Sequence, residues 1–227
     1  MFALAIAGLG AQDLIQGDFV RGLQPVPAWL PAHAALAGLT GAVLVIAGAA
    51  IAAGPGARTA ARVVTALLGL WLLACHAPIL VADPRNGSAW TSALEVFAIG
   101  GTAALLALPA RPALGRIAFG LTLPAFGVLH FLYRDYVAYV IPAWIPGHMF
   151  WALATGVAQL AAGVAIVLDR EARLAAVLAS VMFGAWVVIL HAPRVAADPQ
   201  PPEWTSLFVA AAMCGGAWLV AGSRERR

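Results

Sequence analysis

The chain contains no lysine; all 13 of its basic residues are arginine. It is poor in charge of either sign, with 10% charged residues over 227 positions, against about 25% in a soluble domain. That scarcity excludes an ordinary water-soluble globule, which would have no polar coat. A net charge of +3, scattered along the chain, excludes a nucleic-acid-binding surface. There are only two cysteines, Cys75 and Cys214, far apart and each inside an apolar run. They form no CxxC, so neither an iron–sulfur cluster nor a dithiol redox motif is suggested, and they read as small buried hydrophobes. GxSxG, HExxH and phosphate-cradling glycine loops are absent. Alternation of apolar and polar residues is also absent, which excludes a membrane β-barrel.

Hydrophobic residues make up 63% of the chain, and the mean hydropathy is +0.90. This apolar content runs along nearly the whole length. Proline, glycine and charge divide it into eight segments, approximately 2–20, 32–53, 59–81, 89–109, 113–133, 147–168, 172–196 and 204–222. Each is near the ~20 residues that cross the hydrocarbon. The first, interrupted by Asp13, lacks a basic start and reads as an uncleaved membrane helix. Abundant Gly and Ala suit close packing of helices in lipid. The expected fold is an all-α membrane protein in the lipid bilayer with eight transmembrane helices.

An internal repeat divides the chain. Pro27-Ala28-Trp29-Leu30-Pro31-Ala32-His33 returns as Pro142-Ala143-Trp144-Ile145-Pro146-Gly147-His148. Trp71 returns as Trp186, His76-Ala77-Pro78 as His191-Ala192-Pro193, and Asp83-Pro84 as Asp198-Pro199. At a shift of 115, 24 of the 58 positions 27–84 are identical. Further on, Trp90-Thr91-Ser92 matches Trp204-Thr205-Ser206; upstream, Gly17-Asp18 aligns with Arg134-Asp135. The expected units are residues 1–110 and 111–227, two four-helix bundles. Four helices is an even number, so a pseudo-two-fold axis along the membrane normal would relate them. Arginine placement orients them. Arg58, Arg62, Arg111, Arg116, Arg170, Arg173, Arg224, Arg226 and Arg227 fall on one side; Arg21, Arg85, Arg134 and Arg194 fall on the other. Both termini are expected in the cytoplasm, and the repeated polar motifs on the outer face of what is expected to be a bacterial plasma membrane.

Those motifs supply the candidate site. Trp29 and Trp144, between prolines, read as interfacial anchors and helix starts. They do not account for His33 and His148, four residues later. His76 and His191 lie seven residues before a helix-ending Asp, about 10 Å inside that end. Pro78 and Pro193 follow two positions later, where each removes a backbone donor and kinks the helix. An intramembrane histidine is either a functional group or a structural hydrogen bond across the bundle, and both readings stand. Arg194 shares a helix face with His191, and Asp198 follows one turn on. His130, Tyr133, Arg134 and Asp135 close the first helix of the second half, where the first half has Asp13, Gln16, Gly17 and Asp18. Glu95 is a lone acid inside an apolar segment. The second half keeps more ionisable groups, so the site is expected there, centred on His191 and Arg194. Five histidines could ligate haem or copper, but no His pair stands at i,i+4, so the metal is left open.

The stretches His130–Tyr136, Pro142–His148, His191–Pro199 and Glu203–Phe208 together resemble the DoxX-like small membrane proteins. Members of that family are commonly single four-helix units, so this chain is similar to two such units joined. The family takes its name from a membrane subunit of a thiosulfate:quinone oxidoreductase. The resemblance therefore implies a membrane redox role, a quinone or similar amphipathic ligand, and a redox partner protein. On that reading His191 or His130 meets a ligand carbonyl. Arg194 and Arg134 balance Asp198 and Asp135, and Trp144, Trp186 and Trp204 form an aromatic wall. Tyr133, His148, His76 and His33 complete the ligand-binding set. A transporter or lipid-binding protein, and a structural subunit scaffolding an enzyme, are the alternatives.

Overall fold

The computed structural model describes residues 1–223. Among them every regular element is a helix, with no strand. The helices are α1 (Phe2–Gln16), α2 (His33–Ala53), α3 (Ala57–Ala82), α4 (Gly87–Ala107), α5 (Pro112–Leu132), α6 (Arg134–Val140), α7 (His148–Val167), α8 (Ala172–Ala197) and α9 (Pro201–Gly222). Seven of these, all except α1 and α6, are long and apolar enough to cross a membrane. The eighth expected span, α1, has 15 residues and reaches about 22 Å at 1.5 Å per residue, against a hydrocarbon layer of about 30 Å. Gly17 ends it early. Its φ of 64° is left-handed, and its N–H returns to the Asp13 carbonyl.

Neighbouring helices pack in a regular order. α1 lies on α2, and α5 on α7; α3 lies on α4, and α8 on α9. α2 touches α3, and α7 touches α8. α4 packs on α5, α9 packs back on α1, and α4 also meets α9. Phe119, Ile6, Leu9, Ile99, Leu123 and Ile166 fill the interior. Backbones approach closely where the side chain is hydrogen: a Cβ on Gly10 would strike the Gly41 carbonyl, and one on Gly127 the Gly156 carbonyl.

Both α3 and α8 contain one widened, π-helical turn, Leu72–His76 and Val187–His191. The cause is Pro78 or Pro193 just beyond it, whose ring would collide with the carbonyl one turn back in a regular helix. The widened turn leaves Ala77 N–H bonded to Leu72 O, and Ala192 N–H to Val187 O. The expected break is thus absorbed in one turn, a form of bulge frequent at functional sites. Left-handed residues also recur at a spacing of 115: Ala32 and Gly147, Gly54 and Asp169, Gly56 and Glu171.

The α2–α3, α4–α5 and α7–α8 connections and the helix starts that follow them carry Arg58, Arg62, Arg111, Arg116, Arg170 and Arg173. Arg224, Arg226 and Arg227, counted on the same side, lie outside the described residues. Arg116 is buried and caps the end of α7, donating to the Ile166 and Val167 carbonyls 3.6 Å from the Asp169 carboxylate.

Candidate functional site

The end of the molecule opposite these connections holds the repeated polar motifs, and its two halves differ there. In the first half the chain folds back after Gly17 and fills the space between its own helices. Phe19, Val20, Leu23 and Gln24 are all buried. Asp13, fully buried, holds this segment with both carboxylate oxygens: Oδ1 accepts Val20 N–H at 3.2 Å, and Oδ2 accepts the Gln24 amide at 3.1 Å. His76, the last residue of its widened turn, donates from Nε2 to the Leu23 carbonyl at 2.9 Å. His33 pairs with Asp18 at 3.2 Å and meets the Phe19 ring edge-on.

In the second half the equivalent stretch coils into the short α6, and a cavity of about 990 Å³ remains between it and the first half. This is at the upper end of the size of small-molecule sites. His130, Gln159, Trp186 and His191 line it, with Tyr133, Tyr136, Phe126 and Phe183. Across the cavity, α4 supplies Thr91 and Glu95, and α9 supplies Thr205 and Ser206. The folded-back segment of the first half, from Asp18 to Gly22, lies at its edge. Tyr133 reaches over Gly87 to donate to the Arg85 carbonyl at 3.0 Å, tying the second half to the α3–α4 connection.

The hydrogen bonds of His130 fix its tautomer. Nδ1 faces the Ala152 carbonyl at 3.1 Å, which can only accept, so Nδ1 carries the hydrogen. Thr155 gives its own hydrogen to the Trp151 carbonyl and accepts a second branch from Nδ1. Nε2 is then a bare acceptor and takes an N–H from the Gln159 amide at 3.3 Å. That leaves Gln159 Oε1 buried without a donor. Nδ1 of His191 is likewise buried without a partner. The His130 ring stacks on Trp186 with centroids 6.0 Å apart.

The expected site residues therefore separate. His130, Tyr133, Trp186 and His191 come together on the cavity wall. Arg194 shares the helix with His191, but its guanidinium donates to the Val140 carbonyl at 3.0 Å, fastening α6, and it does not line the cavity. Arg134, Asp135 and Asp198 are exposed. Trp144 is 72% exposed, and His148 lies at the start of α7, outside the lining. Trp204 stacks on Phe208, also outside it. His76 and His33 belong to the filled end of the first half. Gln159 was not singled out from the sequence, although a glutamine four residues after Thr155 in an apolar helix was a visible signal. Among the described residues no group of three or more His, Cys, Asp or Glu is placed to hold a metal ion.

A family model described as a domain of unknown function (DUF8561) matches residues 119–214, from within α5 to within α9. That stretch carries His130, Gln159, Trp186 and His191. No curated protein and no solved structure matches the chain.

Proposed function

We propose that this chain is a redox-associated integral membrane protein that binds a quinone-like or similar amphipathic molecule in the cavity that the second half forms against α4 and the folded-back segment of the first. The observation that carries the reading is the wall itself. Two buried polar atoms, Gln159 Oε1 and His191 Nδ1, lack partners beside an aromatic cavity of ligand size. A buried polar group left unpaired costs about 1–3 kcal/mol, so a wall with two of them favours an occupant that pairs with both. The aromatic side chains Trp186, Phe183, Phe126 and Tyr136 suit a flat ring. The resemblance to DoxX-like proteins points to the same ligand class.

We read the scaffold as two related four-helix units, with α1 as a short eighth span. The support is threefold: the repeat in sequence, the left-handed residues spaced by 115, and the widened turns before Pro78 and Pro193. The arginine distribution supports a cytoplasmic location for both termini, with the cavity toward the opposite face.

The test is extraction of the protein purified in mild detergent, with mass-spectrometric identification of the molecules that accompany it. A quinone or quinol held near one per chain by the wild type, and lost from His191→Ala, is expected. Only bulk phospholipid, in equal amounts in both proteins, would refute the reading in favour of a lipid-binding or structural role. A haem band in the visible spectrum would replace the quinone with a different redox group.

A further inference from the structure

Resting on that reading of the cavity, we propose that the ligand's head group donates a hydrogen bond to Gln159 Oε1, so that the site selects a hydroxyl-bearing, quinol-type ring over a quinone. The polarity follows from a chain of partners. The Ala152 carbonyl puts the hydrogen of His130 on Nδ1, and the bare Nε2 then orients the Gln159 amide with its N–H inward. The orientation of that amide is thus fixed by its neighbours and cannot be exchanged without facing two acceptors together. Oε1 is left as an acceptor on a residue that is 1% exposed, with no donor on the protein. A quinone carbonyl, which only accepts, can satisfy His191 Nδ1 when that nitrogen carries the hydrogen, but it leaves Oε1 unpaired. A hydroxyl supplies the missing donor and can still accept from the histidine.

The filled end of the first half offers a partial parallel. There Asp13 takes the place of His130, and the segment that occupies the space presents donors to it: the Val20 N–H and the Gln24 amide. The same segment presents an acceptor, the Leu23 carbonyl, to His76, the counterpart of His191. The internal occupant therefore offers donors at the place of His130, beside which Gln159 stands, and an acceptor at the place of His191.

Equilibrium binding in detergent under anaerobic conditions tests this with three probes: a long-chain alkyl hydroquinone, its dimethyl ether and the corresponding quinone. The hydroquinone is expected to bind about tenfold or more tightly than either donor-free probe, the effect of one unpaired buried polar group. Gln159→Leu should bring the hydroquinone down to the level of the ether and leave the ether unchanged. Should that variant fail to fold, the order of the three probes on the wild type decides alone. A quinone that binds as tightly as the hydroquinone overturns the inference but leaves the cavity reading standing. Failure of all three probes to bind overturns both.

Discussion

The two halves of the chain place their helices in the same packing order but finish one end differently. Residues 18–24 return into the first half and are held there by Asp13 and His76. The corresponding stretch of the second half becomes α6, fastened outside by Arg194, and a cavity stays open between His130, Gln159 and His191. A histidine two residues before Pro has a structural partner in one case and none in the other. Shared residues in a repeat thus report the common scaffold. On the proposed reading the chemistry lies where the halves differ, at Asp13 against His130, Leu44 against Gln159 and Val209 against Glu95.

The largest effect that this contrast implies is on stability. Asp13→Ala removes the acceptor of the buried Gln24 amide, at about 1–3 kcal/mol, and one of the two acceptors of Val20 N–H, which keeps Gln24 Oε1 at 3.3 Å. A loss of about 3 kcal/mol is expected, read as a lower midpoint of unfolding in mild detergent. His130→Ala frees the Gln159 N–H beside an open cavity, while the Ala152 carbonyl keeps its Thr155 hydrogen bond, and about 1 kcal/mol is expected. Equal losses would mean that the first half is no more dependent on its folded-back segment than the second is on its cavity wall.

Ligand retention should reverse that order. His191→Ala removes a cavity group with no protein partner, so bound ligand is expected to fall about tenfold with little change in unfolding. His76→Ala leaves the buried Leu23 carbonyl unpaired, so stability is expected to fall by about 1–3 kcal/mol while ligand stays. Loss of ligand from His76→Ala, with His191→Ala intact, would transfer the site to the first half.

Most of the helical architecture was legible in the sequence, because proline, glycine and charge punctuate the apolar runs. The expected segment 32–53 is the helix His33–Ala53, and 172–196 is Ala172–Ala197. The first helix was expected to run to residue 20, yet Gly17 stops it, since a left-handed glycine outweighs the apolar residues that follow. Of the cavity wall, the face shared by His130 and Tyr133 was readable from helical periodicity. The direction of Arg194 was not, because its partner, the Val140 carbonyl, lies 54 residues away. Gln159 escaped notice for another reason: a search for residues that match between the halves passes over a glutamine whose counterpart is Leu44.

The smallest expected effect probes the scaffold alone. Ala32 and Gly147 occupy equivalent turns before α2 and α7, and both are left-handed, with φ of 57° and 75°. An L-residue pays about 1–2 kcal/mol for that conformation, which glycine adopts freely. Ala32→Gly relieves this strain, although glycine also gives the unfolded chain about 0.4–1 kcal/mol more freedom. The difference is a gain of about 0.5 kcal/mol, read as a small rise in the unfolding midpoint in detergent. Gly147→Ala should show the converse loss. An added Cβ there meets only the Phe150 Cβ, at an ordinary 3.8 Å, so conformation and not crowding sets the penalty. Opposite signs and similar size at the two positions would sharpen the match between the halves. A loss at Ala32→Gly would show that its turn is held by contacts that the second half lacks.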